Sequence, residues 1–366
     1  MIIDNSAIYK NNFHIFIKKK NKMGKNNNLH NAKTEKKDEF YTQYEDIEKE
    51  MKYYKEYFEN KVVFCNCDDP LESNFTKYFI LKFKSLKLKK LICTFYDVNN
   101  EKIAFAFEYQ GEDMNGDGII SEEDIRIIRE SGASRTILVD DKDFNFEEKE
   151  KCWAKGIYGC GDFRSRNVIE YLKQADVVVT NPPFSLFREY VKQLMDFNKK
   201  FIIIGNQNAI TYKEIFPYIK NNQLWLGTKG IGDMSFVVPN NYETRETRSW
   251  KDENGTNWRS FGNICWFTNI EHRKRSEILD LYKEYNSTDY PKYDNYDAIE
   301  VSRVENIPMD YDGVMGVPIT FLGKYNPTQF QIIGIANNVR YIGDFPCLTI
   351  INGQKIYNRV LIKKIF

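Results

Sequence analysis

Val177-Val178-Val179-Thr180 is a β-branched run too short for a helix, and it is closed at once by Asn181, Pro182, Pro183 and Phe184. A continuous apolar run of this kind is the pattern of a strand covered on both faces, as in the centre of a parallel sheet. Neither proline can extend the strand, because each lacks a backbone N–H and has its φ fixed near −65°. Asn181 and Phe184 are therefore expected at the carboxyl end of a central strand, where open α/β sheets place their ligands. The competing reading is an ordinary strand-ending loop in which Phe184 belongs to the core.

The flanking segments alternate as a doubly wound α/β fold requires. Ile47, Met51, Tyr54 and Phe58 recur at helical spacing within Glu45 to Phe58, and Ser73 to Leu86 has helix periodicity. Strands are expected at Val62 to Cys65, Leu91 to Phe95, Ile157 to Gly159, Val177 to Thr180 and Phe201 to Gly205. These make about five parallel strands, for which a right-handed Rossmann-like sheet is the economical topology. The character changes after about residue 220, where strand-like pieces such as Phe236-Val237-Val238 and Ile264 to Phe267 are separated by loops rich in Arg, Trp, Asn and Gly.

Charge and cysteine usage limit the function classes. The 53 basic and 52 acidic residues balance, so any nucleic-acid signature must lie in their distribution. Residues 1–37 carry Lys10, Lys18, Lys19, Lys20, Lys22, Lys25, Lys33, Lys36 and Lys37 against Asp4 and Glu35, the pattern of a basic, disordered arm. Met23 is an alternative start within it. No run reaches transmembrane length and no secretory cleavage pattern is present, so a cytoplasmic protein is expected. The seven cysteines are odd in number and form no Cys-x-x-Cys pair, as in a reduced compartment, and the three histidines lie near no cysteine pair, so no zinc site is expected.

The tetrapeptide Asn181-Pro182-Pro183-Phe184 resembles the catalytic motif of methyltransferases that use S-adenosyl-L-methionine (AdoMet) to modify planar exocyclic amines. The adenine N6 lone pair is delocalised into the ring, so the amine is a poor nucleophile until its geometry changes. Acceptors from the Asn181 side chain and the Pro182 carbonyl would favour a tetrahedral nitrogen, with Phe184 against the face of an extruded base. Such stacking is worth roughly 1–3 kcal/mol per base.

The likeness is wider than one motif. Asp38 to Tyr44, Cys65 to Phe75, Gly161 to Ser165, Asn181 to Phe184, Met315 to Phe321 and Lys324 to Pro327 occur in the order found in the EcoRI-type adenine-specific modification methylases. That resemblance implies N6-adenine methylation of duplex DNA with AdoMet as donor, as the modification part of a restriction-modification system. The resemblance runs from about residue 34 to the end; beyond the basic arm at 1–37 it implies an AdoMet-binding Rossmann-like catalytic domain at 38–223, and remaining strands with target recognition at 224–366. Cofactor contacts are expected at Phe40, Tyr41, Thr42, Asn66, Asp68, Pro70 and Asp162. A monomer is expected, with a cognate endonuclease acting on the same site without direct binding.

Several residues keep a second reading. The loop after the first strand has no glycine between Cys65 and Phe75, unlike the usual methyltransferase pattern, and Asp68 and Asp69 equally suit helix capping. Asp162 suits either the cofactor's adenine amine or a simple turn. Asp113 to Asp124 has calcium-loop spacing, but its last acid is Asp and the segment before it alternates as a strand, so a turn followed by a Ser121-capped helix is favoured. Arg245, Arg248, Lys251 and Arg259 interleave with Trp250 and Trp258 around Asn254-Gly255, as in a hairpin that contacts DNA or in a solvated loop with its tryptophans in the core. Arg273, Lys274 and Arg275 suit phosphate contacts or a charged surface. A methyltransferase for an RNA base or protein glutamine, or a non-enzymatic calcium- or DNA-binding module, are the alternatives.

Overall fold

The computed structural model describes residues 41–67, 72–96, 104–132, 134–238, 248–336 and 349–365, all within the compact unit Glu39–Phe366. The main sheet is built from β1 (Tyr41–Thr42), β2 (Val62–Asn66), β3 (Lys90–Tyr96), β4 (Ala104–Tyr109), β5 (Arg135–Leu138), β6 (Val177–Thr180), β7 (Lys200–Asn206), β8 (Trp225–Val237), β9 (Ser249–Lys251) and β10 (Asn257–Thr268). Its order is β1-β8-β10-β7-β6-β2-β3-β4-β5, with β9 added to β10. The central strands β3, β2, β6 and β7 are parallel, and the outer strands on both sides run antiparallel. This large mixed sheet is consistent with a Rossmann-like methyltransferase fold.

Alternation on β6 shows why its sequence is apolar throughout. Val177 and Val179 join a cluster with Ile47, Phe75, Phe79 and Trp266, while Val178 joins the opposite cluster with Phe187, Tyr190 and Phe201. Both faces are covered by helices, so neither position can be polar. The first layer holds α1 (Tyr44–Met51), α2 (Asn74–Leu81) and α3 (Glu122–Ser131). Downstream come α4 (Lys149–Ala154), α5 (Arg166–Gln174), α6 (Phe187–Asp196) and α7 (Phe216–Lys220), of which α5, α6 and α7 pack on the opposite face. A buried carboxylate ties α1 to β8: Glu50 accepts from the Thr228 backbone N–H and hydroxyl, the Lys229 N–H and the Tyr54 hydroxyl.

A second sheet follows, in the order β11 (Ala298–Glu300), β12 (Val314–Val317), β16 (Arg359–Lys364), β13 (Phe330–Ala336), with a small hairpin of β14 (Ile350–Ile351) and β15 (Gln354–Lys355). Inside it, Glu300 accepts from Arg359 and from the Tyr293 hydroxyl, so the buried ion pair has its remaining valence satisfied.

Four central parallel strands are present among the described residues, where about five were expected. Ile157 to Gly159 forms no strand but leads into a turn, because the Cys160 N–H is taken by Asp140 and Phe144 packs against Gly159. The expected helix over Ser73 to Leu86 ends at Leu81 and gives way to turns, and the α-helix within Glu45 to Phe58 tightens to a 3₁₀ helix from Lys52.

The Asp113 to Asp124 segment is a turn followed by the Ser121-capped helix α3. Asp113 accepts from the Gly116 and Gly118 N–H groups, and Asp117 from that of Ile119. Asp124 is buried and closes a capping box, accepting from the Ser121 and Met114 N–H groups. Burial works against its charged form, but these backbone donors outweigh it and hold the carboxyl below its ordinary range. A depressed folded-state pKa stabilises above the unfolded value and is lost as pH falls through the folded one. Asp124→Ala should therefore cost about 0.5–2 kcal/mol at neutral pH. Denaturant titrations at pH 7 and pH 3 should show that difference shrinking in acid; an equal loss at both would remove the charge from the argument.

Candidate active site

β2 is the point where the sheet reverses direction: the chain passes from β2 to β3 on one side and returns with β6 and β7 on the other. Ligands of open α/β sheets lie outside the carboxyl ends of the strands at such a reversal. The ladder between β2 and β6 runs only through Val63↔Val177 and Phe64↔Val178, so the two strands part before their ends. Across the gap the Thr180 hydroxyl donates to the Asn66 carbonyl, and the Tyr190 hydroxyl donates to the Asn66 side-chain oxygen. At the other end, Asp176 and Val62 bind each other through the Val62 N–H and the Asp176 carboxylate, 2.7 Å, and the Asp176 N–H and the Val62 carbonyl, 2.9 Å.

Asn181, Pro182, Pro183 and Phe184 follow β6 directly. Pro182 is buried, Asn181, Pro183 and Phe184 are half-buried, and a 3₁₀ turn over Phe184–Leu186 leads into α6. Phe184 lies against the rim of the core and retains some exposure, so it is not a fully enclosed core side chain. Phe187, the first residue of α6, is the buried one, and Gly205 of β7 admits it: a Cβ there would stand 2.5 Å from the ring.

Cys67 has φ +72°, in the left-handed region that non-glycine residues adopt at a cost of roughly 1–2 kcal/mol. It turns the chain out of β2 where the usual pattern has glycine. Asp68 and Pro70, with Phe40, lie outside the described residues. The capping role considered for Asp68 and Asp69 belongs to Ser73, whose Oγ accepts from the Phe75 N–H at the start of α2.

Tyr41 and Thr42 pair with Val237 and Phe236 on β8, and the Thr42 carbonyl accepts from the Asn74 side chain at the head of α2. Two buried hydroxyls, Thr42 Oγ1 and Thr94 Oγ1, have no hydrogen-bond partner among the described residues. Thr94 is on β3 opposite Asn66, near the carboxyl edge. Unsatisfied buried hydroxyls cost about 1–3 kcal/mol, so they suit a polar ligand that occupies this edge. The sequence reading did not find Thr94.

The Asn66 side-chain oxygen accepts from Tyr190 of α6, which makes it a brace between β2 and that helix. Burial pushes the Tyr190 hydroxyl well up from its ordinary pKa, which keeps it a donor. Asp162 sits in a turn after Gly161 at φ +80°, and its Oδ1 accepts from the Arg164 N–H, 2.9 Å. The Arg164 guanidinium grips the same carboxylate through Nε to Oδ1, 2.9 Å, and Nη2 to Oδ2, 2.8 Å. Oδ2 keeps capacity for one more donor. Arg164 also lies over the Tyr158 ring at 4.2 Å and binds Glu189 of α6 at 2.9 Å. Gln193 holds the Phe163 carbonyl at 3.0 Å, and Phe163 meets Tyr190 edge-on, 5.0 Å between centroids. Helix α6 thus joins three sequence motifs: the end of β2, the Asn181 turn and the Gly161 to Ser165 loop.

Of the basic residues proposed for DNA, Arg245 lies outside the described residues. Arg248 and Lys251 are exposed on the β9 side of a hairpin, and Arg259 is half-buried on β10 with its guanidinium 4.9 Å from the Phe261 ring centre. Arg275 is buried and stacked on Trp225 at 3.7 Å, bound to Asn222 and Glu271, which corrects its reading as a phosphate contact or charged surface.

The family model described as adenine-specific methyltransferase EcoRI matches residues 28–364. The chain is 46% identical over 346 residues to the type II methyltransferase M.EcoRI of Escherichia coli, covering 92% of this chain and 95% of that protein. It is 36% identical to the type II methyltransferases M.MgeORF184P of Mycoplasma genitalium, over 91% of this chain and 97% of the relative, and M.MpnI of Mycoplasma pneumoniae, over 84% and 85%. No solved structure matches.

Tyr190→Phe removes the buried donor to Asn66 while keeping the ring. It should lower the unfolding free energy by about 1–3 kcal/mol in denaturant melts. Wild-type stability in this variant would show that the strand ends do not rely on that bond.

Proposed function

The chain belongs to the EcoRI family of adenine-specific methyltransferases, and from that premise we propose that it moves the methyl group of AdoMet to N6 of an adenine extruded from duplex DNA. It is a DNA adenine methyltransferase of the restriction-modification kind. The observation that carries the finer reading is the Asn181 to Phe184 turn at the carboxyl end of β6, beside the parted ends of β2 and β6.

Asn181 and the Pro182 carbonyl accept the two N6 hydrogens, which draws the nitrogen lone pair out of the ring. Phe184 supports the base by stacking, and the Pro182-Pro183 pair fixes the turn without backbone donors that would compete for the acceptors. AdoMet, when bound, supplies an electrophilic methyl on a sulfonium. Its polar groups fit the Thr42 and Thr94 hydroxyls and the remaining acceptor site on Asp162, with Phe40, Tyr41, Asp68 and Pro70 as further contacts. Asn66 braces that pocket. Arg164 holds the Asp162 carboxylate at its place against α6.

Residues 1–37 act as a basic arm, 38–223 as the catalytic part, and 224–366 as the remaining strands with target recognition through Arg245, Arg248, Lys251 and Arg259. The protein works as a cytoplasmic monomer, and a cognate endonuclease cuts the same site without touching it. Among the described residues no helix is long and apolar enough to cross a membrane.

Labelled AdoMet offered with duplex DNA, RNA or protein should label DNA alone, on adenine N6. Label on RNA or on glutamine would replace the substrate class. Asn181→Ala should reduce turnover by about 10²–10³ with AdoMet binding retained, since it faces the amine. Turnover close to wild type would sink its role. A duplex with 2-aminopurine at the target should brighten on binding, and less so with Phe184→Ala; unchanged fluorescence at full occupancy would argue against extrusion.

A further inference from the structure

We propose that Asn206, the last residue of β7, donates its side-chain amide N–H to N1 or N7 of the extruded adenine, the two ring nitrogens that flank N6, and so fixes how the base lies against the Asn181 turn. This rests on the reading of the chain as a DNA adenine methyltransferase. Register places the residue beside the turn. The last β6–β7 pair is Thr180↔Ile203, and β7 continues through Ile204, Gly205 and Asn206 while the neighbouring chain leaves its strand as Asn181, Pro182 and Pro183. At about 3.3 Å per residue, with strands about 4.8 Å apart, Asn206 stands roughly 10 Å beyond the level of Thr180, alongside that departing chain. The face is fixed as well. Asn206 pairs with Ile264, which lies in the cluster that holds Val179 and Ile204, and Phe184 packs against the same cluster. Directly paired residues share a face of the sheet, so the Asn206 amide and the Phe184 ring are on one side of it at the carboxyl edge.

The Asn206 side chain is oriented before any base arrives. Its Oδ1 accepts from the Asn208 N–H at 2.9 Å and caps the 3₁₀ turn Gln207–Thr211. Only the oxygen can take that role, so the bond also assigns which end of the amide carries the N–H groups. Nδ2 is left with no acceptor among the described residues, on a half-buried side chain. An amide whose acceptor is occupied and whose donors are not selects for an acceptor on its ligand, and adenine offers one on each side of N6. Stacking on Phe184 alone lets a base turn in its own plane, and the acceptors from Asn181 and Pro182 hold it at a single corner. A donor to a flanking ring nitrogen stops that rotation and aims N6. Extruded bases are read in this way, by hydrogen bonds along an edge that stacking leaves open.

The test separates the cap from the donor. Asn206→Ser and Asn206→Asp each keep an oxygen for the Asn208 N–H and remove the amide donor. Full-length protein is used with AdoMet and a duplex that the wild type is first shown to methylate on adenine N6; absence of that methylation would remove the functional reading and this proposal with it. Given methylation, both variants should match the wild-type melting temperature and AdoMet affinity and lose about tenfold in kcat/KM for the duplex. The target adenine is then replaced by 1-deazaadenine or by 7-deazaadenine. On one of the two, the ratio of wild-type to variant kcat/KM should fall from about ten to about one, because the partner atom is gone, and on the other it should stay near ten. The analogue that closes the gap identifies the nitrogen. Comparing enzymes on the same base cancels the analogue's own reactivity, and a variant of lower stability leaves the change in ratio readable. Wild-type kcat/KM in both variants, or a gap that persists on both analogues, would overturn the contact while leaving the methyltransferase reading in place.

Discussion

The joint between the parted ends of β2 and β6 is the constraint on which the rest depends. Two parallel strands at a sheet reversal must separate to make a crevice, and separation leaves backbone groups without ladder partners. Here the Thr180 hydroxyl and the Tyr190 hydroxyl, both from beyond the strand pair's own ladder, take up the Asn66 carbonyl and amide oxygen. The two strand ends are thereby tied together where their ladder stops. Cys67, directly after β2, takes a left-handed conformation. Backbone strain of this kind persists where the surroundings over-determine it, and both flanks of Cys67 are fixed: β2 by the ladder to β3, and α2 by its Ser73 cap.

Much of the central architecture was legible because it rests on local rules. The alternation of Val177, Val178 and Val179 between two covered faces, and the stop at Pro182-Pro183, follow from pleat geometry and from proline's missing donor. What escaped was long-range. Tyr190 reads in sequence as one more apolar position of an amphipathic helix, and nothing adjacent announces that its hydroxyl reaches Asn66, 124 residues away. Arg164 stood inside the Gly161 to Ser165 motif, yet its grip on Asp162 and Glu189 depends on how that loop docks on α6. Ile157 to Gly159 has the composition of a short strand, but pairing is a tertiary property, and the Asp140 and Phe144 side chains hold the segment as it enters the turn at Cys160.

The Asp113 to Asp124 loop shows how a carboxylate pattern with calcium-loop spacing also builds a turn and a helix cap. Calcium-loop spacing and a capped turn need the same acids at the same intervals. Asp113 and Asp117 accept loop N–H groups, and Asp124 is enclosed with donors from both the loop and the helix start. The loop's shape therefore follows from its own amides. It connects β4 to α3 on the far side of the sheet order from β10.

Strand β10 links the core of the main sheet to the β9 hairpin. Its second half is core, with Cys265, Trp266 and Phe267 buried between β7 and β8, and its first half is held between β8 and β9 with Phe261 packed against the core at Phe236. The change comes between Phe261 and Ile264, where the β8–β10 register shifts. A register irregularity bends a ribbon and re-aims the residues beyond it. A single strand is thus anchored two places from β6 in the sheet order and carries β9 on its far end. Because β10 is rooted beside β7 in the sheet that also carries β6, the position of its β9 hairpin relative to Asn181 is set by strand pairing and not by a hinge between separate bodies.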